Sequence, residues 1–267
     1  MRPAVEHAHL LEVTALVPST VPELTLLCLS DTHDQQDFML HPLPRADVLI
    51  HAGDFSCRGS REEVANFIKW SDRLLDDGLV RYIVFVCGNH ELNMQLSAKS
   101  PAVRQAQEDM KRALIDRDNV YYMQDSMCVI EGLRFYGSPW TTKFGDHWAF
   151  QLPDTEDIDH GLGGKFKSIP EGVQVLVTHQ PPLGQGDHGD GNRRHGSRAL
   201  LQRVLEVEPL VHVFGHIHSG YGASKREDLN TIFVNAAVCD DDYQPDNKPV
   251  LIKLQHAVAA ESDHGTP

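Results

Sequence analysis

The sequence predicts an α/β fold, and two observations predict it. Five short apolar runs each stop abruptly at Asp, His or Asn, and helical signatures fall between them. An unbroken apolar run marks a strand buried on both faces, as in a parallel sheet covered by helices. In open α/β sheets, ligands bind beyond the carboxyl ends of the strands. Polar residues gathered at those ends are therefore candidates for a site.

Residues 1–22 carry Pro3, Pro18 and Pro22 among polar residues and read as an irregular lead-in, with a short strand near 10–17. The first core strand, from Leu24 to Ser30, runs into Asp31-Thr32-His33, and the second, from Ala46 to Ala52, runs into Gly53-Asp54. Residues 34–45 between them, with Pro42 and Pro44, form a loop at the cleft rim. Ser60-Arg61-Glu62-Glu63 is a capping box, and Val64, Phe67, Ile68, Leu74 and Leu75 make a helical stripe, so a helix is expected over 61–77. It returns the chain to the most apolar strand, which starts at Tyr82 and ends in Gly88-Asn89-His90-Glu91. Strand, helix, strand in this order is a parallel crossover unit. Ser100-Pro101 opens a second helix, to about residue 115, with proline at the first helical position.

Short strands follow at 120–123 and 127–136, the latter broken by a hairpin turn at Glu131-Gly132. Residues 137–170, rich in Gly, Pro, Trp and Asp, are expected to form an extended excursion. Its Trp140, Phe144, Trp148 and Phe150 read as packing for that loop, a base-stacking wall being the alternative. The strand from Val173 to Thr178 runs into His179. Residues 180–196 read as a mobile glycine-rich loop, with Arg193, Arg194 and His195 solvated or, alternatively, in contact with an anion. A helix over 197–207 leads to the strand from Leu210 to Phe214, which runs into Gly215-His216-Ile217-His218. Strands at 231–238 and 250–254 complete one domain placed over 23–255. Asp240, Asp241 and Asp242 read as solvent-facing, and residues 256–267 as a frayed tail.

The strand ends thus collect seven side chains: Asp31, His33, Asp54, Asn89, His179, His216 and His218. Imidazole, carboxylate and amide oxygen without thiolate suit Mn, Fe, Zn or Mg rather than a structural zinc ribbon. Such a set exceeds the shell of one ion, so two divalent ions are expected, with one carboxylate shared and a position open on each.

Asp31-x-His33, Gly53-Asp54, Gly88-Asn89-His90-Glu91, Thr178-His179 and Gly215-His216-x-His218 resemble the five blocks of the calcineurin-like metallophosphoesterases. Tyr136-Gly-Ser-Pro-Trp140, Trp148-Ala-Phe150, Pro181-Pro-Leu-Gly184, the stretch from His212 to His218, and Phe233-Val-Asn235 are similar to the metallophosphoesterase-domain-containing, class III phosphodiesterase-like family. The resemblance spans residues 24–240. It implies two packed mixed β-sheets flanked by helices, a four-layer α-β-β-α sandwich. It places Asp31, His33 and His218 on one ion, Asn89, His179 and His216 on the other, and Asp54 between them, with manganese the first expectation and Fe, Mg or Zn as alternatives. The implied reaction is attack of a metal-bridging hydroxide on phosphorus, with His90 as the catalytic group and Arg58, Asn89 and His90 as substrate contacts. The implied substrate is a small, nucleotide-like phosphodiester. The competing readings are a phosphomonoesterase or phosphoprotein phosphatase on the same two metals, and a non-catalytic interaction module on this fold.

One departure bears on that choice. Phosphoprotein phosphatases of the superfamily carry Gly-Asp-x-x-Asp-Arg-Gly, whose second Asp orients the catalytic His, and this chain has Gly53-Asp-Phe-Ser-Cys-Arg-Gly59, with Cys57 in that place. The protein-phosphatase reading is weakened, and the partner of His90 is left open. His51 and His212 lie inside strands and read as core groups or as supports behind the ligands.

At 267 residues a single α/β domain with a large core is comfortable. A formal charge of −14 argues against a nucleic-acid polymer as partner, since that requires a basic surface. An anionic small molecule stays compatible, because bound cations dominate the local field. Five scattered cysteines without a Cys-x-x-Cys pair point to a reducing compartment. With no apolar run near ~20 residues and no leader signature, a cytoplasmic protein without a membrane partner is expected. Nothing in the sequence fixes the oligomeric state.

Overall fold

Successive side chains of a strand face opposite ways, and the first core strand uses both directions. Leu26 and Cys28 enter one apolar cluster and Leu27 and Leu29 another, and all four are fully buried. The structure, a computed structural model, describes residues 10–95, 100–157, 159–189 and 193–256. The outer parts of the expected lead-in and tail, 1–9 and 257–267, lie outside the described residues, as do 190–192 of the glycine-rich loop.

Two six-stranded sheets carry the fold. The first contains β1 (Leu11–Val17), β2 (Leu24–Leu29), β3 (Val48–His51), β4 (Tyr82–Phe85), β5 (Val120–Tyr122) and β14 (Val250–His256) in the order β1-β14-β2-β3-β4-β5. All its pairs are parallel except β14 with β2. The second contains β6 (Ser126–Ile130), β7 (Leu133–Ser138), β10 (Val175–Thr178), β11 (Val211–Phe214), β12 (Gly222–Lys225) and β13 (Ile232–Asn235) in the order β12-β13-β11-β10-β7-β6. Its four central strands are parallel and its two edges antiparallel. Val48, Ile50 and Val84 of the first sheet share a cluster with Val175, Val177, Val211 and Val213 of the second, so one core lies between the sheets.

Helices cover the other faces. In α1 (Arg61–Asp76), Phe67 stacks on Phe55 at 4.3 Å and lies 5.4 Å from Phe85. Each such buried Phe or Leu contributes about 1.5–3 kcal/mol. Its capping box forms as expected: Glu63 N donates to Ser60 Oγ at 3.3 Å, and Ser60 N donates to Glu63 Oε2 at 2.7 Å. Helix α2 (Pro101–Ile115) matches its expected span. Helices α3 (Gly161–Lys167) and α4 (Arg198–Val207) pack together, with Leu162, Phe166, Leu200 and Val204 buried. The four-layer mixed α/β architecture is thus present. Among the described residues no helix is long and apolar enough to cross a membrane.

The excursion over 137–170 is more regular than its composition suggests: it holds the short parallel pair β8 (Thr141–Thr142) and β9 (Gln151–Leu152), followed by α3. Helix α3 reads GLGGKFK, and glycines disfavour a helix by about 1 kcal/mol each. Its formation rests on the fully buried Leu162 and Phe166, a tertiary effect that local propensity does not carry. Strand β12 likewise lacks a local signal, since Gly222–Lys225 is polar and mostly exposed.

Candidate metal centre

After three of the five strands, β2, β3 and β11, the chain delivers its polar residues through a turn that leaves ordinary backbone space. Asp31, His33, Asp54 and His216 all adopt positive φ, at 52°, 45°, 52° and 68°. For a residue with a Cβ this costs of order 1–3 kcal/mol and persists only where the surroundings impose it. Close packing accompanies the strain. A Cβ on Gly88 would lie 2.2 Å from Asp54 Oδ1, and one on Gly215 would lie 2.0 Å from Asp31 Oδ2. Glycine before Asn89 and before His216 therefore lets the strand ends of the two sheets close over the carboxylates, Gly88 against Asp54 and His179 and Gly215 against Asp31.

All seven expected ligands converge, with His90 beside them. Asp31, His33 and His218 place ligand atoms within 4.8 Å of one another, as do Asp54, His179 and His216, and His33, Asp54 and His90. Asp54 belongs to two of these groups. Asn89 joins through Oδ1, 3.1 Å from His179 Nε2, and that nitrogen is also 3.1 Å from Asp54 Oδ2. His218 Nε2 lies 3.2 Å from His33 Nε2 and 3.4 Å from Asp31 Oδ1.

The imidazoles are fixed from behind. His179 Nδ1 donates to the Ala52 carbonyl and His218 Nδ1 to the Asp240 carbonyl, both at 2.8 Å, so each turns Nε2 toward the cluster. The backbone N–H of His216 donates to Asp31 at 3.0 Å, and that of His90 donates to Asp54 at 2.8 Å. The charges follow the geometry. Although burial opposes their ionisation, Asp31 and Asp54 are held well below the usual carboxylate range by His218 and His179. Against the desolvation of its ring, His179 is pushed up to about 9 by Asp54, and His218 to about 9 by Asp31. Burial pushes His216 down to about 3.

The residues fit a pair of divalent cations. Among the described residues the ion-pair partners of Asp31 and Asp54 are imidazoles only, namely His90, His179 and His218. Two carboxylates removed from water need compensating positive charge. The donors are oxygen and imidazole nitrogen, without thiolate, which is the set of a borderline-to-hard divalent metal.

His90 finds its partner in the backbone. Its Nδ1 donates to the Cys57 carbonyl at 2.7 Å, where the phosphatase pattern has an Asp side chain, and its Nε2 stands 3.9 Å from Asp54 Oδ2. Its ring lies 4.5 Å from Trp148 and 4.6 Å from His33. Arg58 follows Cys57 on the exposed side of this turn. His51 and His212 are fully buried, held by the hydroxyls of Thr32 at 3.0 Å and Thr178 at 2.8 Å.

Of Trp140, Phe144, Trp148 and Phe150, Phe144 and Trp148 reach the site, Phe144 lying 5.5 Å from His216 and Trp148 4.5 Å from His90. Phe150 is fully buried and Trp140 nearly so, at 5.6 Å from each other. The described part of the glycine-rich loop is tied down. Asp187, fully buried, accepts from Gly184 N, Gly196 N and Arg194 Nη1 at 2.9, 3.1 and 2.7 Å.

Two residues escaped the sequence reading. Glu91, given no role there, is fully buried, and its carboxylate accepts from Asp54 N, Ser56 N, Ser56 Oγ and Gly88 N at 2.6–3.0 Å. It locks the turn bearing Asp54 to the turn bearing Asn89; its place directly after Asn89-His90 was the available signal. Tyr243 lays its ring 4.9 Å from His33 and 5.2 Å from His218, with no local pattern to announce it.

Known proteins resemble this chain in sequence and in fold. The sequence profile of the calcineurin-like phosphoesterases matches residues 24–220. Metallophosphoesterase domain-containing protein 1 of Homo sapiens and of Mus musculus is 39% identical over 241 residues, covering 85% of this chain and 70% of the relative. A UPF0046 protein of Caenorhabditis elegans is 34% identical over 251 residues, covering 91% of this chain and 79% of its own length. Among solved structures, TT1561 of Thermus thermophilus superposes with a TM-score of 0.55 at 12% identity, over 80% of this chain and 89% of that one. The phosphopantetheinyl hydrolase of Mycobacterium tuberculosis does so with a TM-score of 0.54 at 17% identity, over 88% and 98%; at such identities the likeness is one of fold. Profile, relatives and fold agree with the Asp, Asn and His cluster at the strand ends: the chain belongs to the calcineurin-like phosphoesterase family.

Proposed function

We propose that the protein is a phosphodiesterase acting on a small, nucleotide-like diester. Asp31, His33 and His218 hold one divalent cation and Asn89, His179 and His216 a second, with Asp54 shared and manganese as the assigned metal. The observation that supports this most is the overlap of two ligand clusters at Asp54, one of them holding His90 and sharing His33 with the third. Two such cations supply Lewis-acid stabilisation of phosphoryl charge and a lowered pKa for the attacking water.

The chain's own groups do the rest. With Nδ1–H committed to the Cys57 carbonyl, His90 exchanges protons only at Nε2, the nitrogen that faces the cluster. It delivers that proton to the departing oxygen, with the Asp54 carboxylate 3.9 Å from Nε2. Asn89 and His90 orient the phosphoryl group, and Arg58 on the adjacent turn contacts its charge. The backbone carbonyl at position 57 in place of an aspartate separates this site from the phosphoprotein phosphatase pattern and favours a diester. The five cysteines, all free, fit a reducing compartment such as the cytoplasm.

The test compares Mn-loaded protein on bis(p-nitrophenyl) phosphate and p-nitrophenyl phosphate, before and after chelation. A kcat/KM at least tenfold higher on the diester, abolished by chelation and restored by Mn, is the expected result. A preference for the monoester would replace this reading with a phosphomonoesterase, and turnover indifferent to chelation would remove the metal assignment.

A further inference from the structure

Two cavities open from the metal centre and diverge at His216. One, of about 430 Å³, is walled by Phe144 and reaches Arg194 and Asp154. The other, of about 270 Å³, is walled by Tyr243 and reaches His218 and Ser219. Both include His195, His216 and Ile217, so together they form one cleft with two arms.

The aromatic walls are unusual for a polar site. Phe144 is 55% exposed and Tyr243 48%, yet each ring sits against imidazoles of the centre: Phe144 at 5.5 Å from His216, and Tyr243 at 4.9 and 5.2 Å from His33 and His218. Neither is held in place by a hydrophobic core. Tyr243 takes a φ of 57°, in the left-handed region, and its backbone is fixed there from both sides. Its N–H donates to the Asp240 carbonyl at 3.0 Å, and its own carbonyl accepts from Gln35 Nε2 at 2.8 Å. Strain of this kind is retained where a side chain must be aimed. Phe144 is held through its backbone without such strain, its N–H donating to Gln151 Oε1 at 2.9 Å. A ring half open to solvent, with a cavity alongside, offers a face on which a planar group stacks.

We infer that Phe144 and Tyr243 are the specificity-determining residues of the cleft, each taking one esterified group of the diester, and that the preferred substrate carries planar aromatic rings on its ester arms. This rests on the phosphodiesterase reading. The larger arm, beside Phe144, has room for the bulkier substituent. A monoester fills one arm only and forgoes the contact with the other ring.

The test uses two inert anions that share the charge and the PO₂ group of a diester, diphenylphosphinate and dimethylphosphinate, titrated calorimetrically into the Mn-loaded protein. Diphenylphosphinate is expected to bind at least tenfold tighter. Phe144→Ala and Tyr243→Ala are each expected to weaken it about threefold to tenfold, the range of an aromatic pair, and to weaken dimethylphosphinate by less than twofold. Tyr243→Phe keeps the ring and is expected to keep the preference. Equal affinities for the two anions in the unmodified protein, or no loss of preference in either alanine variant, would overturn the inference. Because phosphinates are not hydrolysed, ring preference without turnover of any diester would uphold this assignment and sink the phosphodiesterase reading. Diester turnover without ring preference would do the reverse.

Discussion

His90 illustrates how a catalytic side chain is oriented without a partner side chain. A carbonyl accepts and never donates, so the bond from His90 Nδ1 to Cys57 O at 2.7 Å fixes the tautomer as an aspartate would, without adding a negative charge. The thiol of Cys57 points elsewhere, to the His33 carbonyl at 3.2 Å. Removing the imidazole and altering the thiol should therefore have very different consequences. His90→Ala is expected to lower kcat/KM on bis(p-nitrophenyl) phosphate by roughly 10²–10⁴, the usual worth of an acid–base group. Cys57→Ser, which keeps the carbonyl and a donor of similar reach, is expected to stay within threefold of the unmodified rate. Steady-state kinetics on the two variants decide the matter, and a Cys57→Ser as slow as His90→Ala would show that the thiol itself is needed. This contrast also marks what was legible in the sequence. The identities of Asp31, His33, Asp54, Asn89, His179, His216 and His218 could be read because each stands just beyond an apolar run. The groups that orient them could not, because the carbonyls of Ala52, Cys57 and Asp240 belong to the backbone and carry no residue signature. Glu91 is a middle case: its position was plain, but three of its four donors lie on the Gly53–Gly59 turn, and only the fold brings them together.

At the scale of the element, the strand ends are built around absent side chains. On Gly215, between β11 and His216, a methyl group would meet Asp31 Oδ2 at 2.0 Å and Ser30 Oγ at 2.1 Å, both on the strand end of the other sheet. Asp31 is fully buried and has nowhere to retreat. Either β2 and β11 move apart or the carboxylate rotates away, and both outcomes break up the group formed by Asp31, His33 and His218. Gly215→Ala should accordingly weaken Mn binding tenfold or more, the effect typical of displacing a group that orients a metal ligand. It should also lower the melting temperature of the protein. Calorimetric Mn titration together with a thermal melt measures both, and unchanged Mn affinity would mean that the strand ends are more compliant than their packing implies. The elements themselves divide by the kind of signal that forms them. Strands β2, β3, β4, β10 and β11 are buried runs, and α1 has its own cap, so sequence alone located them. Helix α3 and strand β12 are held by neighbours instead, α3 by α4 and β12 by its antiparallel pairing with β13, and their local residues favour neither state.

For the whole molecule, the sheet interior sets how stability responds to acid. His212 sits in the middle of β11, fully buried, with Phe214 at 5.0 Å and Phe233 at 6.0 Å. The Thr178 hydroxyl gives its proton to the Gln180 carbonyl at 2.6 Å, so toward His212 it can only accept, and Nε2 of His212 is the N–H donor at 2.8 Å. Nδ1 is then the site of protonation, and among the described residues it is buried without a partner. Burial accordingly pushes His212 down from 6.5 to about 3. The sign follows from linkage. Below pH 6.5 the unfolded chain takes up a proton that the folded one refuses, so the contribution of this group to stability is present above 6.5. It declines as pH falls through 6.5 and is exhausted only near 3. Between pH 4.5 and 5.5 a single refused proton makes stability fall by about 1.4 kcal/mol per pH unit. His212→Gln keeps a donor for Thr178 and cannot titrate. It is expected to be less stable than the unmodified protein at pH 7.5, through looser packing, and to show an acid slope shallower by about 1.4 kcal/mol per pH unit. Urea unfolding at half-unit steps from pH 4.5 to 8 resolves the two effects, since packing shifts the whole curve while the proton changes only its slope. Parallel curves for the two proteins would mean that the folded state accommodates a charged His212, and that the interior between Thr178 and Phe233 is wetter than its burial indicates.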